Sequence, residues 1–202
     1  MFELVLASNN KHKALEIKKI LKKAKVITLD ELGFKGEIIE NGETLKENSA
    51  IKARRIRKIV KDKIIIADDT GLEVEYLAKA PGIYSARFAG PKCNFMDNNL
   101  KLLSLLKGLK MTQRKAEFKT GIFIIFPDGT ESYALGSVNG YISEVMKGTN
   151  GFGYDPVFFV PSKNKTYAQM TLREKNSVSH RKNAIEKAQI IIEKYLKTKS
   201  KK

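Results

Sequence analysis

The sequence predicts an α/β fold built on a mixed β-sheet, and three stretches carry that prediction. Phe2 to Ala7 is a short apolar strand that passes through a polar turn into a helical pattern. Lys63-Ile64-Ile65-Ile66-Ala67 is a β-branched run of the kind buried on both faces of a sheet, and it ends in Asp68-Asp69-Thr70-Gly71. Ala116 to Phe126 first alternates and then runs apolar. It breaks at Pro127-Asp128-Gly129-Thr130 and resumes from Ser132 to Val138, which is a hairpin and makes the sheet mixed.

With 202 residues the chain can bury a sizeable core as one folding unit. No apolar stretch approaches a membrane span, and the start lacks the basic region and cleavage site of a signal peptide. The expectation is therefore a soluble, cytoplasmic protein. Cys93 is the single cysteine, so no internal disulfide and no cysteine-based metal site is expected. Lys and Arg number 38 against 22 Asp and Glu, a net charge of +16. These charges lie along the whole chain, and only the tail from Lys197 to Lys202 is a basic low-complexity run, where disorder is expected. That spread favours polyanionic small substrates, or simply solvated lysine faces, over a dedicated nucleic-acid patch.

In chain order, the first strand meets Ser8-Asn9-Asn10-Lys11-His12-Lys13 and then the helical pattern Ala14-Leu15-Ile17-Lys18-Ile20-Leu21. A strand–turn–helix unit aims the free N–H groups of the helix start at the turn, a ready anion site to which Ser8, Asn10 and Lys13 add donors and charge. Ser8 or Asn10 can equally serve as the helix cap. The loop Gly36 to Glu43 leads into Thr44 and Glu47, which stand at capping-box spacing, so Glu47 belongs to a helix start. Glu40 has no such local use. In the helix that follows, running to about Val60, Asn48 and Lys52 share a face, and Lys52 can reach a phosphate.

If the Asp68–Asp69 strand continues, the two carboxylates diverge; a turn at Gly71 would instead bring them to the sheet edge. Ligands in open α/β sheets bind outside the carboxyl ends of strands, where this pair sits. Ala80 to Pro91 is a loop punctuated by proline and glycine, with Arg87 its cation suited to an anion. A leucine-rich pattern from about Asp97 to Leu106 reads as a core helix. Asn139-Gly140 reads as a second turn after the hairpin. Gly148 to Phe159 gathers glycines, aromatics and Asp155 into a backbone that can approach a flat ligand, with Phe152 available for stacking. Thr171 to Arg181 opens the terminal helix, with Ser179 as N-cap and His180 and Arg181 in its first turn. Cations there oppose the helix dipole, which makes sense beside an acceptor-rich ligand.

Taken together and in this order, these segments resemble the inosine triphosphate pyrophosphatase family. The matching stretches are Ser8 to Lys13, Glu47-Asn48-Ser49-Ala50 with Lys52-Ala53, Ala67 to Leu72, Pro81-Gly82 with Ser85-Ala86-Arg87, Gly151 to Pro156, and Glu174-Lys175-Asn176 with Ser179-His180-Arg181. The resemblance implies an elongated sheet with two lobes around a central substrate cleft, a homodimer, and Mg²⁺-dependent hydrolysis of ITP, dITP and XTP to the monophosphate and diphosphate. It implies that Ser8, Asn9, Asn10, Lys11, His12, Lys13 and Lys52 hold phosphates, and that Glu40, Asp69 and Asp68 serve the metal. Asp69 would also be the catalytic base. Thr70 and Arg87 would contact substrate, and Phe152, Gly153, Tyr154, Asp155, Lys175, His180 and Arg181 would form the base pocket and its surroundings. Glu43 competes with Glu40 for the metal. Asn9 stands where glycine is common, and Gln169 where an acid is common. Two other readings remain: a pyrophosphatase of modified pyrimidine nucleotides, and a basic nucleic-acid-binding protein, the latter leaving Asp68, Asp69 and Glu40 without a purpose.

Overall fold

The computed structural model describes residues 2–200. Its strands are β1 (Phe2–Leu6), β2 (Ala24–Thr28), β3 (Ile64–Val74), β4 (Pro81–Gly82), β5 (Lys115–Ile125), β6 (Glu131–Ile142), β7 (Phe158–Val160) and β8 (Lys165–Thr166). Its helices are α1 (Lys11–Ile20), α2 (Leu45–Arg57), α3 (Phe95–Leu105), α4 (Leu172–Val178) and α5 (His180–Lys199). One open sheet takes the order β2-β1-β3-β5-β6-β7-β8, with β4 paired to β3. It is mixed, as expected: β1 runs parallel to β2 and β3, whereas β4 is antiparallel to β3 and β7 to β6.

The chain divides into two units, Met1–Asp69 with Thr120–Gly136 and Arg181–Lys202, and Thr70–Lys119 with Ser137–His180. The first is a three-layer arrangement dictated by the two-residue period of its central strands. Leu4, Leu6, Ile64 and Ile66 pack on one face against Ala14 and Ile17 of α1 and Ala184, Ile185, Ala188 and Ile192 of α5. Val5, Ala7, Ile65 and Ala67 pack on the other against Ala50, Ala53 and Ile56 of α2. This is why the run Ile64 to Ala67 is apolar without alternation: both faces are buried. The second unit has its own core, in which Leu72, Val74, Phe118, Ile142, Phe158 and Tyr167 meet Leu102 and Leu106.

Several boundaries differ from the sequence expectation for identifiable reasons. β3 does not end in a turn at Gly71 but runs to Val74, because Leu72 and Val74 resume the apolar pattern and pack in the second core. Asn139-Gly140 is not a turn: it lies inside β6, where a side chain at Gly140 would collide with the Phe159 carbonyl and the Phe158 ring. The C-terminal helical segment is two helices, α4 capped by Thr171 in a box with Glu174, then α5 after an extended Ser179. The basic tail from Lys197 is helical as far as Lys199, whose ammonium pairs with Asp128 at 3.0 Å; Lys201 and Lys202 lie outside the described residues. Among the described residues no helix is long and apolar enough to cross a membrane.

Gly140→Ala is expected to destabilise the protein by about 1–3 kcal/mol, the cost of forcing a methyl against backbone and a packed ring. Urea unfolding measures it, and a change below a few tenths would show that β6 and β7 can part at no cost.

Candidate active site

The acidic pair of β3 is where the sheet turns from packing to charge. Because the strand continues, Asp68 follows Ile64 and Ile66 towards α1 and α5, and Asp69 follows Ile65 and Ala67 towards α2. Asp68 is fully buried and Asp69 nearly so. A buried carboxylate needs a cation of its own, and each has one.

On the α2 face, the Lys52 ammonium lies 3.3 Å from Asp69 Oδ1 and 2.8 Å from Glu40 Oε2. Lys52 is itself buried, on the helix face that also buries Asn48, Ser49 and Ala53. Thr44 accepts from the Glu47 N–H and the Glu47 carboxylate accepts from the Glu43 N–H, so Glu47 is a helix-start residue as expected. Asn48 Oδ1 accepts from the Gly42 N–H at 2.9 Å, which ties the loop carrying Glu40 to this helix. Of the two competing glutamates it is Glu40 that reaches the Asp69 group. Burial pushes the Asp69 carboxyl above its ordinary value against the pull of Lys52 and Lys13, and the neighbouring Glu40 and Asp68 charges add to the rise. Burial would lower the Lys52 ammonium, but the charges of Asp69, Asp68 and Glu40 outweigh it and raise the value.

On the α1/α5 face, Lys13 lies 3.1 Å from Asp68 Oδ2 and the Arg181 guanidinium 3.4 Å from the same oxygen. Arg181 also pairs through Nη1 with Glu16 of α1. Burial would raise the Asp68 carboxyl, yet Lys13, Arg181 and Lys52 hold it at about 2. Lys13 is pushed down by burial, partly offset by Asp68. The resemblance groups Asp68 with Glu40 and Asp69 at the metal, but alternation along the continuing strand turns it to the other face, where Lys13 and Arg181 pair with it. Arg181, expected near the base, has its guanidinium engaged by Asp68 and Glu16. Glu16 escaped the sequence reading; the signal was an acid on the apolar face of α1, between Ala14 and Ile17 and three residues after Lys13.

The turn before α1 resolves the choice of cap. Asn10 accepts from the Lys13 N–H at 3.1 Å, and Ser8 Oγ accepts from the Asn10 N–H at 3.3 Å. Asn9, Lys11 and His12 lie exposed.

In the second unit the glycine–aromatic loop is organised by Asp155. Its Oδ2 accepts from the Phe152 N–H at 2.9 Å and from Lys175 of α4 at 2.6 Å, and a side chain at Gly151 would strike the same oxygen. Gly151 and Gly153 have φ of 79° and 64°, conformations open to glycine. The Lys175 ammonium sits 4.9 Å over the Phe152 ring and 5.4 Å over Tyr167. Phe152 also meets Phe95 of α3, ring centroids 6.1 Å apart. Tyr154 is buried and donates to the Ser85 carbonyl at 2.9 Å; burial raises its phenol, so it stays a donor. His180 stacks on Phe118 at 4.6 Å, and Arg87 lies exposed over Tyr84. Thr70, half-buried, follows Asp69 along β3.

No cluster of three or more His, Cys, Asp or Glu side chains stands among the described residues in a form that could hold a metal by itself. The donor chemistry nevertheless suits a hard divalent cation: Glu40 and Asp69 already converge on one positive charge, and Mg²⁺ is ordinarily held by one or two carboxylates with phosphate oxygens and water.

Known proteins resemble this chain over nearly its whole length. Residues 4–190 match the Ham1 family. The dITP/XTP pyrophosphatase of Caldanaerobacter subterraneus subsp. tengcongensis is 48% identical over 199 residues, 97% of this chain and 98% of that protein. The dITP/XTP pyrophosphatase of Bacillus subtilis is 42% identical over 195 residues, 96% and 98% of the two chains. Among solved structures, the Staphylococcus aureus Ham1 protein superposes with a TM-score of 0.84 at 40% identity, covering 96% of this chain and 99% of that one. A HAM1 protein from Coxiella burnetii gives 0.84 at 35% identity, covering 96% and 100%.

The Asp68 carboxyl makes a pH prediction. Its folded value of about 2 lies below the ordinary 3.8, so its contribution is present above about pH 4 and is lost as the pH falls through about 2. The difference is worth about 2 kcal/mol. Urea midpoints between pH 7 and pH 2 should fall more steeply for the native chain than for Asp68→Asn; parallel curves would contradict the pairing.

Proposed function

The chain belongs to the Ham1 family, and on that footing we propose that it is a nucleoside triphosphate pyrophosphatase that hydrolyses non-standard purine nucleotides, ITP, dITP and XTP, to the monophosphate and diphosphate. The observation that carries the reading is the group of buried Lys52 and Asp69 with the half-buried Glu40, and Lys13 beside Asp68 on the neighbouring face. Cleavage between the α and β phosphates requires countercharge, an oriented water and little covalent help. Lys13, Lys52 and the N–H groups at the start of α1, framed by Ser8 and Asn10, bind the triphosphate oxygens. Asp69 takes the proton of the attacking water, a task suited to a carboxylate whose proton affinity burial has raised. Glu40 and Asp69 would hold Mg²⁺, which supplies neutralisation of phosphate charge when bound.

The second unit has features of its own that suit a nucleobase. Phe152 presents a ring face backed by the Lys175 cation, suited to a flat heterocycle. Hypoxanthine and xanthine carry a 6-oxo acceptor where adenine carries an amino donor. A donor-lined site can reject the mismatched base by roughly 10⁴–10⁵.

Diphosphate release from ITP, dITP, XTP, GTP, dUTP and ATP, with and without Mg²⁺, tests the proposal. Fast turnover of ITP and XTP, slow turnover of ATP and dependence on the divalent ion are expected. Equal rates on all nucleotides would remove the purine selectivity, and no diphosphate from any of them would remove the activity. Asp69→Asn is expected to keep its melting temperature and lose about 10²- to 10⁴-fold in kcat; near-native turnover would take Asp69 out of the chemistry.

A further inference from the structure

The leucines of α3 are core residues, but core packing does not account for its two adjacent asparagines. Asn98 and Asn99 are each 2% exposed, and a buried carboxamide is costly unless it is hydrogen-bonded. Successive residues of a helix point about 100° apart, so the two side chains reach different parts of the second unit. Asn98 serves the loop that carries Arg87. Its Nδ2 donates to the Ala86 carbonyl at 3.2 Å, and its Oδ1 accepts from the Ala89 N–H at 2.7 Å and the Cys93 thiol at 3.2 Å. Asn99 serves the glycine–aromatic loop: its Nδ2 donates at 2.8 Å to the Gly153 carbonyl and at 2.8 Å to the Phe95 carbonyl of its own helix.

The orientation of Asn99 follows from its neighbours. Both are carbonyls, so the amide nitrogen must face them, since the reverse orientation would set oxygen against oxygen. The Oδ1 is then buried and meets no hydrogen-bond donor among the described residues. A buried acceptor without a donor costs stability. An apolar residue of the same shape would remove that orphan acceptor but would leave the Gly153 carbonyl without this donor, so what the asparagine adds is the hydrogen bond to the loop.

We propose that Asn98 and Asn99 are positioning residues of the substrate pocket, fixing the loop of Arg87 and the loop of Phe152 to one rigid helix. The Tyr154 hydroxyl, 2.9 Å from the Ser85 carbonyl, joins the same two loops, so they are held as a pair. The inference rests on the reading that Arg87 and Phe152 contact the nucleotide. Neither asparagine touches the reacting atoms. Their effect is on where the base and the anion-binding cation stand, which is felt in KM and in discrimination between bases before it is felt in kcat.

The test is Asn99→Leu, read by thermal melting, amide hydrogen exchange and steady-state kinetics on ITP and ATP. The variant is expected to stay folded with a melting temperature close to the native one, because the carbonyls left without their donor offset the removed amide oxygen, while the amides of residues 151–155 exchange faster. KM for ITP should rise by about 10-fold, the factor set by one lost hydrogen bond, with kcat nearly unchanged and the preference for ITP over ATP narrowed. Asn98→Leu should instead quicken exchange in residues 85–93 and raise KM for both nucleotides alike. Asn99→Asp, of the same shape but opposing a carboxylate to two carbonyls, provides a second variant should the leucine fail to fold, and the same loosened loop is expected. A lower melting temperature with unchanged exchange and unchanged KM would make Asn99 structural and overturn the proposal. If the native protein releases diphosphate from no nucleotide, the functional reading fails separately, and the exchange of residues 151–155 still decides whether Asn99 holds that loop.

Discussion

Two carboxylates at successive positions of a buried strand point to opposite faces and so take their close ion pairs separately, and the first unit is arranged around that constraint. Strand geometry sends Asp68 and Asp69 to opposite faces of the sheet, and burial obliges each to find its own cation. The helices that cover the two faces bring them: Lys13 on α1 and Arg181 on α5 for Asp68, Lys52 on α2 for Asp69. The same helices supply the apolar side chains that close the two cores. Packing and electrostatics are therefore set by the same alternation. Shifting β3 by one residue would exchange the cations as well as the core residues.

The electrostatic outcome differs between the faces although the residue is the same. Asp68, flanked by two cations, is held strongly ionised at about 2. Asp69 shares Lys52 with Glu40, and with burial dominant its carboxyl holds a proton more readily than an ordinary aspartate. One acid is thus fixed as a structural counter-ion and the other is left with basicity to use, a division of labour set by environment. In the second unit the comparable hub is Asp155, which fastens the Phe152 backbone and the Lys175 ammonium with one oxygen, and the open conformations at Gly151 and Gly153 let the backbone fold around it.

Much of this was legible in the sequence because it depends on local rules. The apolar run before Asp68, the helix starts at Asn10 and Thr44, and the turn at Pro127 to Thr130 follow from period and cap chemistry. What escaped reading depended on contacts distant along the chain. Asn139-Gly140 has the composition of a turn, and only the crowding by Phe158 and Phe159 shows that the glycine serves a close approach within a strand. Gly71 likewise looked like a stop, although β3 continues to pack in a second core. Glu16, Asn98 and Asn99 looked like ordinary helix residues, because what marks them is a partner far along the chain: Arg181, the Ala86–Ala89 backbone and the Gly153 carbonyl. Glu40 and Glu43 were equivalent by position in the loop, and it is Glu40 whose carboxylate pairs with Lys52.

The central claim is that the Asp69 face, and not the Asp68 face, is the reactive one. Crystals grown with Mn²⁺ and a non-hydrolysable ITP analogue, mapped by anomalous scattering, test it most directly. The account predicts a manganese peak within coordination distance of Asp69 and Glu40, with Asp68 still paired to Lys13 and Arg181. A peak coordinated by Asp68, or one touching neither Asp69 nor Glu40, would contradict it.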